Sequence, residues 1–356
     1  MSLKKIVFFL LFASLSYAQE ILFILQDAGE TQALLPVLEK LEQENKKFTV
    51  LAAGVAQDLL QGKLWMEKLP IDKSWQRSAT FSEATLKQII QAHPAKKVVS
   101  GVAFELHGQL LQAYAQQGST TFAFWDNINY EGSDPYFATA QKVAHVAQNV
   151  LTPRAAFEKH LPHATVVGQP SIELWAKTLH QIDVKAVKAR LPFLKSDQPV
   201  LLFIGGYGKE YEEAFDLFLK VAELPELQKY AQAIAFHPKM GGNFEREHLP
   251  AKAYLLEPKY GVSTQEAIAL ADIVVCHQSS VGVQAAAAGK RVIYLVPSHQ
   301  TYTNPAIEQK IAQTATSANE FCQALQAQSK SNDDPFVAWG MPQNSVERIY
   351  NLLVQE

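Results

Sequence analysis

The stretch VVCHQSSVGVQAAAAGKRVIYLVP, residues 274–297, sets two apolar runs on either side of a serine turn and a run of small residues. The apolar runs are short and rich in Val and Ile, as buried strands are. Between them stand Ser279, Ser280 and Gly282, then four consecutive alanines at 285–288. A strand, a helix narrow enough to lie close on it and a second strand make a βαβ unit, and so a parallel sheet. The alanines serve packing. The serines stand where the helix begins, near Gly282, and where its first N–H groups lack partners, which makes this turn a candidate anion site.

The same alternation runs outward in both directions. EILFILQ, KFTVLAAG, KKVVSGV, TTFAFWD, NVLTPR and ATVVGQP read as strands separated by helical stretches, and a second series follows with QPVLLFIGG, AQAIAFHP, AYLLEP, ADIVVCHQ and RVIYLVP. The fold class expected is α/β, with two Rossmann-like doubly wound domains and a cleft between them. The expected divisions are a leader at 1–18, an N-terminal domain at 19–170, a linker helix at 171–192 and a C-terminal domain at 193–340. The closing amphipathic helix at 341–356 is expected to cross back to the first domain.

The chain has 356 residues, 48% hydrophobic and 19% charged, enough for two well-buried cores. A formal net charge of −3 provides no basic footprint for nucleic acid. The opening MSLKKIVFFLLFASLSYAQE has two lysines, a short apolar run and Ser16-Tyr17-Ala18, the pattern of a cleavable secretory signal. The expectation is cleavage after Ala18, a periplasmic or secreted protein, and no transmembrane segment in the mature chain. Cys276 and Cys322 read as small hydrophobes rather than a disulfide, and no metal-ligand spacing and no cofactor motif stands out.

Ligands of doubly wound sheets sit beyond the carboxyl ends of the strands, so the polar residues there are the candidates. In LQDAGETQALLPV, Gly29 permits a tight turn and Glu30 opens a helix. In AFWDNINYEGSDPY, aromatic faces beside carboxylates and amides suit a sugar, which selects Trp125, Asp126, Asn127, Tyr130 and Glu131. In LLFIGGYGKEYEEAF, Gly205, Gly206 and Gly208 between strand and helix let backbone amides approach an anion. In AIAFHPKMGGNF, His237 ends a strand as an acid–base or phosphate-binding candidate, with Lys239 beside it.

A glycine-rich strand end, a strand ending in His-Pro, and a serine turn followed by helix, Ala-Ala-Gly and a strand ending in Val-Pro resemble, in that order, the carboxyl-terminal half of GT-B glycosyltransferases. The nearest likenesses are the lipid-linked N-acetylglucosaminyl transferase of peptidoglycan synthesis and the UDP-N-acetylglucosamine epimerases. DAGETQALLPVLEKL is similar to the epimerase opening, with Glu30 and Pro36 at matching places. The resemblance implies a diphosphate on Gly205, Gly206, Ser279, Ser280 and Gly282, and matches His237 to the epimerase histidine. Ala28 and Ala33 stand where the epimerases carry basic residues, and the acid that holds the ribose falls on Gln284 or Ala285. Gln284 can hydrogen-bond a hydroxyl only as a neutral group.

Two features press against the usual nucleotide donor: those departures, and a leader that predicts export away from cytoplasmic nucleotide sugars. The expectation is an exported GT-B-like enzyme acting on a sugar, sugar phosphate or glycan, with His237, Asp126 and Glu131 as its catalytic groups. The alternatives are a non-catalytic extracytoplasmic binding protein of the same fold, and a cytoplasmic nucleotide-sugar transferase whose leader has been misread.

Overall fold

The computed structural model describes residues 19–71, 76–132, 134–195, 197–237, 240–327 and 334–355. The leader and Lys239 lie outside them. The chain divides into two compact units, one running to Ser171 and resuming at Gly340–Glu356, the other spanning Ile172–Trp339.

The first unit is built on seven strands: β1 (Gln19–Leu25), β2 (Phe48–Ala52), β3 (Met66–Lys68), β4 (Ala95–Ser100), β5 (Thr120–Phe124), β6 (Asn149–Thr152) and β7 (Ala164–Val166). They pair in the order β3-β2-β1-β4-β5-β6-β7, every pairing parallel. Strand β1 shows why both faces must be covered: Ile21, Phe23 and Leu25 enter one core while Leu22 and Ile24 enter the other. The helices that bear on function here are α1 (Ala28–Gln43), α2 (Glu105–Gln116) and α3 (Pro135–Val146). Leu106 and Leu110 of α2 and Val143 of α3 fill one core, and Leu34, Val37 and Leu41 of α1 fill the other.

The second unit has β8 (Val200–Ile204), β9 (Ala231–Ala235), β10 (Ala253–Leu255), β11 (Ile273–Cys276), β12 (Arg291–Leu295) and β13 (Gln313–Ala315), in the parallel order β10-β9-β8-β11-β12-β13. Helix α4 (Lys209–Ala222) follows β8 and α5 (Ser280–Ala287) follows β11. Phe215 and Phe218 of α4 pack on Leu201 and Phe203 of β8. The segment 171–192 carries two helices, Pro170–Gln181 and Val184–Ala189, and from Ile172 onward it falls with this second unit.

The closing helix α6 (Ser345–Val354) belongs to the first unit. Ile349 and Leu353 enter the core beneath α1, Lys40 pairs with Glu347 at 2.8 Å, and Lys97 Nζ donates to the Leu353 carbonyl at 2.9 Å. Both cysteines are unpaired, Cys276 fully buried and Cys322 partly. Among the described residues no helix is long and apolar enough to cross a membrane.

One close approach ties α1 to β4. A Cβ on Gly101 would fall on the Glu30 carboxyl, so only glycine leaves room for this buried acid. Gly101→Ala is expected to destabilise the protein by about 1–3 kcal/mol in denaturant unfolding. Glu30→Ala, by opening the same space, is expected to remove part of that cost in the double variant. Strict additivity of the two would show that the clash is relieved elsewhere.

Candidate functional site

In the first unit the strand order reverses between β1 and β4, the place where loops at the carboxyl ends diverge and leave a crevice in doubly wound sheets. The chain leaves β1 through Gln26 and Asp27. Asp27 caps α1, and Glu30 completes a capping box by folding back, its Oε1 accepting from the Gln26 and Asp27 N–H groups at 2.5 and 3.0 Å. The turn expected at Gly29 is already the first turn of α1. Glycine is required there because a Cβ would strike Asp126 Oδ2.

Glu30 is fully buried and its second oxygen, Oε2, has no hydrogen-bond partner among the described residues. Burial pushes its pKa well above the usual carboxylate value, and the charges of Asp27 and Asp126 add to this. His107 of α2 is also fully buried, with Nε2 3.9 Å from Glu30 Oε1. Burial drives it down to about 3, so the ring is neutral. Asp126, just past β5, accepts from the Tyr136 hydroxyl at 2.7 Å, and its carbonyl accepts from Gln169 Nε2 at 2.7 Å. Burial and the Asp27 charge raise Asp126 to about 6, with Tyr136 and Arg77 pulling the other way. Arg77 lies over the rings of Phe104 and Tyr136 and donates to the Ala103 carbonyl.

Glu30 and Asp126, chosen from separate stretches of sequence, thus come together. The rest of the second stretch does not join them as a sugar platform. Trp125 is 0% exposed, wedged against Phe157 and Tyr136, with its indole N–H given to the Asn129 carbonyl. Tyr130 stacks between Trp125 and His160, which covers the faces a sugar would need. Asn127 closes a turn by accepting from the Asn129 N–H at 2.8 Å. Glu131 follows that turn onto the surface and is exposed. The aromatic residues at this strand end are core, as their size favours. Tyr136, His107 and Arg77 were not singled out from sequence. Asp134-Pro135, a helix start, was the one signal that could have placed Tyr136 in a first turn beside the strand ends.

In the second unit the reversal lies between β8 and β11, and it brings the glycine turn and the serine turn onto neighbouring strands. The two turns differ in chemistry. Gly205 already donates its N–H to the Ala235 carbonyl at 2.6 Å, so it is not an anion donor. A Cβ on Gly205 would lie 2.9 Å from Glu245 Oε1, and one on Gly206 2.8 Å from the Tyr211 ring. These glycines therefore make room for a buried pair, Tyr211 donating to Glu245 at 2.7 Å, rather than for a phosphate. Gly208 is glycine for its backbone, at φ 86° as the N-cap of α4. Glu210 and Glu212 then set carboxylates in the first turn of α4, answering its dipole from within the chain.

The start of α5 carries no acid. Ser279 caps it, Oγ accepting from the Val281 N–H at 3.3 Å, while its carbonyl accepts from the Tyr294 hydroxyl at 3.2 Å. Ser280, the first residue of the helix, is exposed. Gly282 is not at the helix start but within it, where a Cβ would strike the Tyr294 hydroxyl and lie 2.7 Å from Cys276 Sγ, so its role is packing. Gln284 is half-buried one turn on. His277, which sequence reading passed over, precedes the serine turn. Its Nδ1 lies 2.9 Å from the Leu295 carbonyl, and burial lowers its pKa, which keeps the ring neutral. His237 lies two residues past β9, its ring 4.9 Å from that of Tyr207 at 66°. Among the described residues no group of three or more His, Cys, Asp or Glu is arranged to hold a metal ion.

Solved structures share this fold. The UDP-GlcNAc 2-epimerase of Neisseria meningitidis, determined with UDP-GlcNAc bound, superposes with a TM-score of 0.67 over 95% of this chain and 100% of its own, at 15% identity. The protein has the GT-B fold. The 2-epimerase of Methanocaldococcus jannaschii gives 0.66 at 13% identity, covering 94% of this chain and 99% of its own. MurG of Acinetobacter baumannii gives 0.59 at 13% identity, with coverages of 94% and 99%. No protein-family model matches the sequence, and a search of curated proteins found no match.

The raised pKa of Asp126 makes a stability prediction with a defined sign. Folding lifts this carboxyl from an ordinary 3.8 to about 6, so the folded state binds its proton more tightly than the unfolded chain does. The penalty for Asp126 is therefore absent below about pH 4, grows as pH rises towards 6 and is complete above it. Asp126→Asn keeps an acceptor for Tyr136 and cannot ionise. Its stability relative to the wild type is expected to rise by up to about 3 kcal/mol between pH 4 and pH 8 in denaturant titrations. A flat difference would mean that Asp126 ionises in the folded state as readily as in water.

Proposed function

We propose that the protein is a GT-B-type enzyme of nucleotide-sugar or sugar-phosphate chemistry. The observation that carries this reading is the start of α5. It is a helix N-terminus at the topological reversal of a parallel sheet, with an exposed Ser280 hydroxyl and no acid in its first turn. Its amide dipoles are not answered by a carboxylate of the first turn, whereas those of α4 are. A phosphate belongs on the serine turn of β11 rather than on the glycine turn of β8.

The first unit, taken by itself, carries a carboxyl suited to acid–base work. A carboxyl that titrates near 6 takes up and releases a proton close to neutral pH, and Asp126 has this property through its burial and its neighbours. Glu30 behind it is held by two backbone N–H groups and so fixes the turn on which Asp27 and Gly29 approach Asp126. His237 is the second candidate acid–base group. Phosphate held by fixed amide dipoles is the principal electrostatic contribution to such a reaction.

The alternative of a binding protein without turnover is favoured by the departures from the epimerase pattern, Ala28 and Ala33 in place of basic residues and Gln284 or Ala285 in place of the acid. The two readings part on Asp126→Asn. In an enzyme this change cuts turnover of a UDP-sugar by about 100-fold or more and leaves UDP binding in place. In a binding protein there is no turnover to lose.

Export through cleavage after Ala18 is part of the same proposal. A mature protein starting at Gln19 by amino-terminal sequencing supports export. A protein retaining Met1 overturns it and returns the enzyme to cytoplasmic nucleotide sugars.

For the anion site, saturating UDP at a hundred times its dissociation constant is expected to stabilise the chain by about 2.7 kcal/mol. Ser280→Glu, which puts a carboxylate in the first turn of α5, is expected to abolish that gain. An undiminished shift in the variant would move the phosphate away from α5.

A further inference from the structure

The segment between β3 and the helix Glu83–Ala92 carries Arg77 in a turn and is held against α2 at two places. The Phe81 N–H and carbonyl bond the Gln109 amide at 2.7 and 2.8 Å, and the Arg77 carbonyl accepts from the Glu105 N–H at 2.8 Å. These ties bring the Arg77 side chain to the turn after β4, where Nη1 donates to the Ala103 carbonyl at 3.1 Å. The guanidinium carbon then lies 5.7 Å from the centre of the Phe104 ring and 5.5 Å from that of Tyr136. Both distances are within reach of a cation–π attraction.

Of the two rings, Tyr136 connects the cation to chemistry. It is buried, Trp125 meets it edge-on at 6.2 Å, and its hydroxyl donates to Asp126 Oδ1 at 2.7 Å. A buried carboxyl can take up and release a proton only if its ionised form has partners. Among the described residues the groups that act on Asp126 come from four elements: Asp27 from the turn after β1, Glu30 from α1, Tyr136 from α3 and Arg77 from this segment. His107 of α2 lies 3.9 Å from Glu30 and is neutral. Asp27 and Glu30 are acids and oppose a negative charge on Asp126. Tyr136 gives it a hydrogen bond, and Arg77 brings the positive charge.

We propose that Arg77 is a positioning residue: held between the Phe104 and Tyr136 rings, it fixes the Tyr136 hydroxyl on Asp126 and supplies the positive charge that lets this carboxyl give up its proton. This rests on the reading of Asp126 as an acid–base group and names the residue that makes that role workable. A cation over the face of a phenol polarises its O–H and makes it a stronger donor. A lysine would bring the charge but has no flat face to lie against two rings, so the planar fork of arginine suits the place.

The test uses the full chain and needs no turnover. The proton on Asp126 is read from the stability difference between wild type and Asp126→Asn across pH, in denaturant titrations, with Arg77 intact and with Arg77→Met. In the Arg77→Met background the pH at which that difference levels off is expected to rise by about one unit, which is about a tenfold tighter hold on the proton. With Tyr136→Phe also present, the shift caused by Arg77→Met is expected to fall by about twofold or more, because the two side chains act as a unit. Arg77→Gln, which keeps a donor for the Ala103 carbonyl and loses the charge, is measured beside Arg77→Met, so that a folding failure of one variant leaves the other to decide. A clamp that is merely structural would lower stability evenly across pH and leave the levelling-off point in place, and the proposal is then overturned. An equal shift with and without the Tyr136 hydroxyl makes Arg77 a bare charge and overturns the positioning role. Where turnover of a UDP-sugar is measured, the pH profile of kcat/KM is expected to move by the same amount in Arg77→Met. If the levelling-off point moves and that profile does not, Arg77 still governs this proton, and the acid–base reading of Asp126 is what fails.

Discussion

A parallel strand can be followed by another only through a crossover, and in a right-handed βαβ unit every crossover helix starts at the same edge of the sheet. This constraint orders both units of the protein. It lines up the turns after β1, β4 and β5 in one and after β9, β8 and β11 in the other. It also points helix N-termini towards those turns. Residues far apart in the chain, such as Glu30 and Asp126, become neighbours because their strands end on one edge on either side of β4.

At such an edge each turn either satisfies its own amides or leaves them for a ligand. The turn after β1 satisfies itself with Glu30, at the cost of burying a carboxyl whose second oxygen has no hydrogen-bond partner among the described residues. The turn after β8 does so with Gly205 on Ala235 and with acids in the first turn of α4. The turn after β11 bonds the Val281 N–H to the Ser279 hydroxyl and the Gly282 N–H to the Ser279 carbonyl, and the first turn of α5 carries no acid. The three turns thus differ in which of their amides are already bonded and in where their carboxylates stand.

Packing explains why the glycines were harder to read than the strands. Gly29, Gly101, Gly205, Gly206 and Gly282 each stand where a Cβ would meet a buried side chain, those of Asp126, Glu30, Glu245, Tyr211 and Tyr294 in turn. A glycine in a strand-end turn looks the same in sequence whether a ligand or a neighbouring side chain takes its space. Trp125 and Tyr130 carry the same ambiguity, since an aromatic residue after a strand can face a sugar or fill the core, and here Phe157 and His160 decide for the core.

The alternation of apolar runs with helices determined by itself that the chain would form two parallel doubly wound sheets, because the period of hydrophobicity and the length of the crossovers are local properties. It also determined which turns could bear function, since strand ends are visible as the close of an apolar run. Which of those turns is spoken for was decided only in three dimensions. The partner of each amide, the acid beneath each glycine and the neighbour of each aromatic ring come from strands distant in sequence. Burial, which lifts Asp126 to about 6 and holds His107 neutral, is likewise a property of the packed whole rather than of any residue's own stretch of chain.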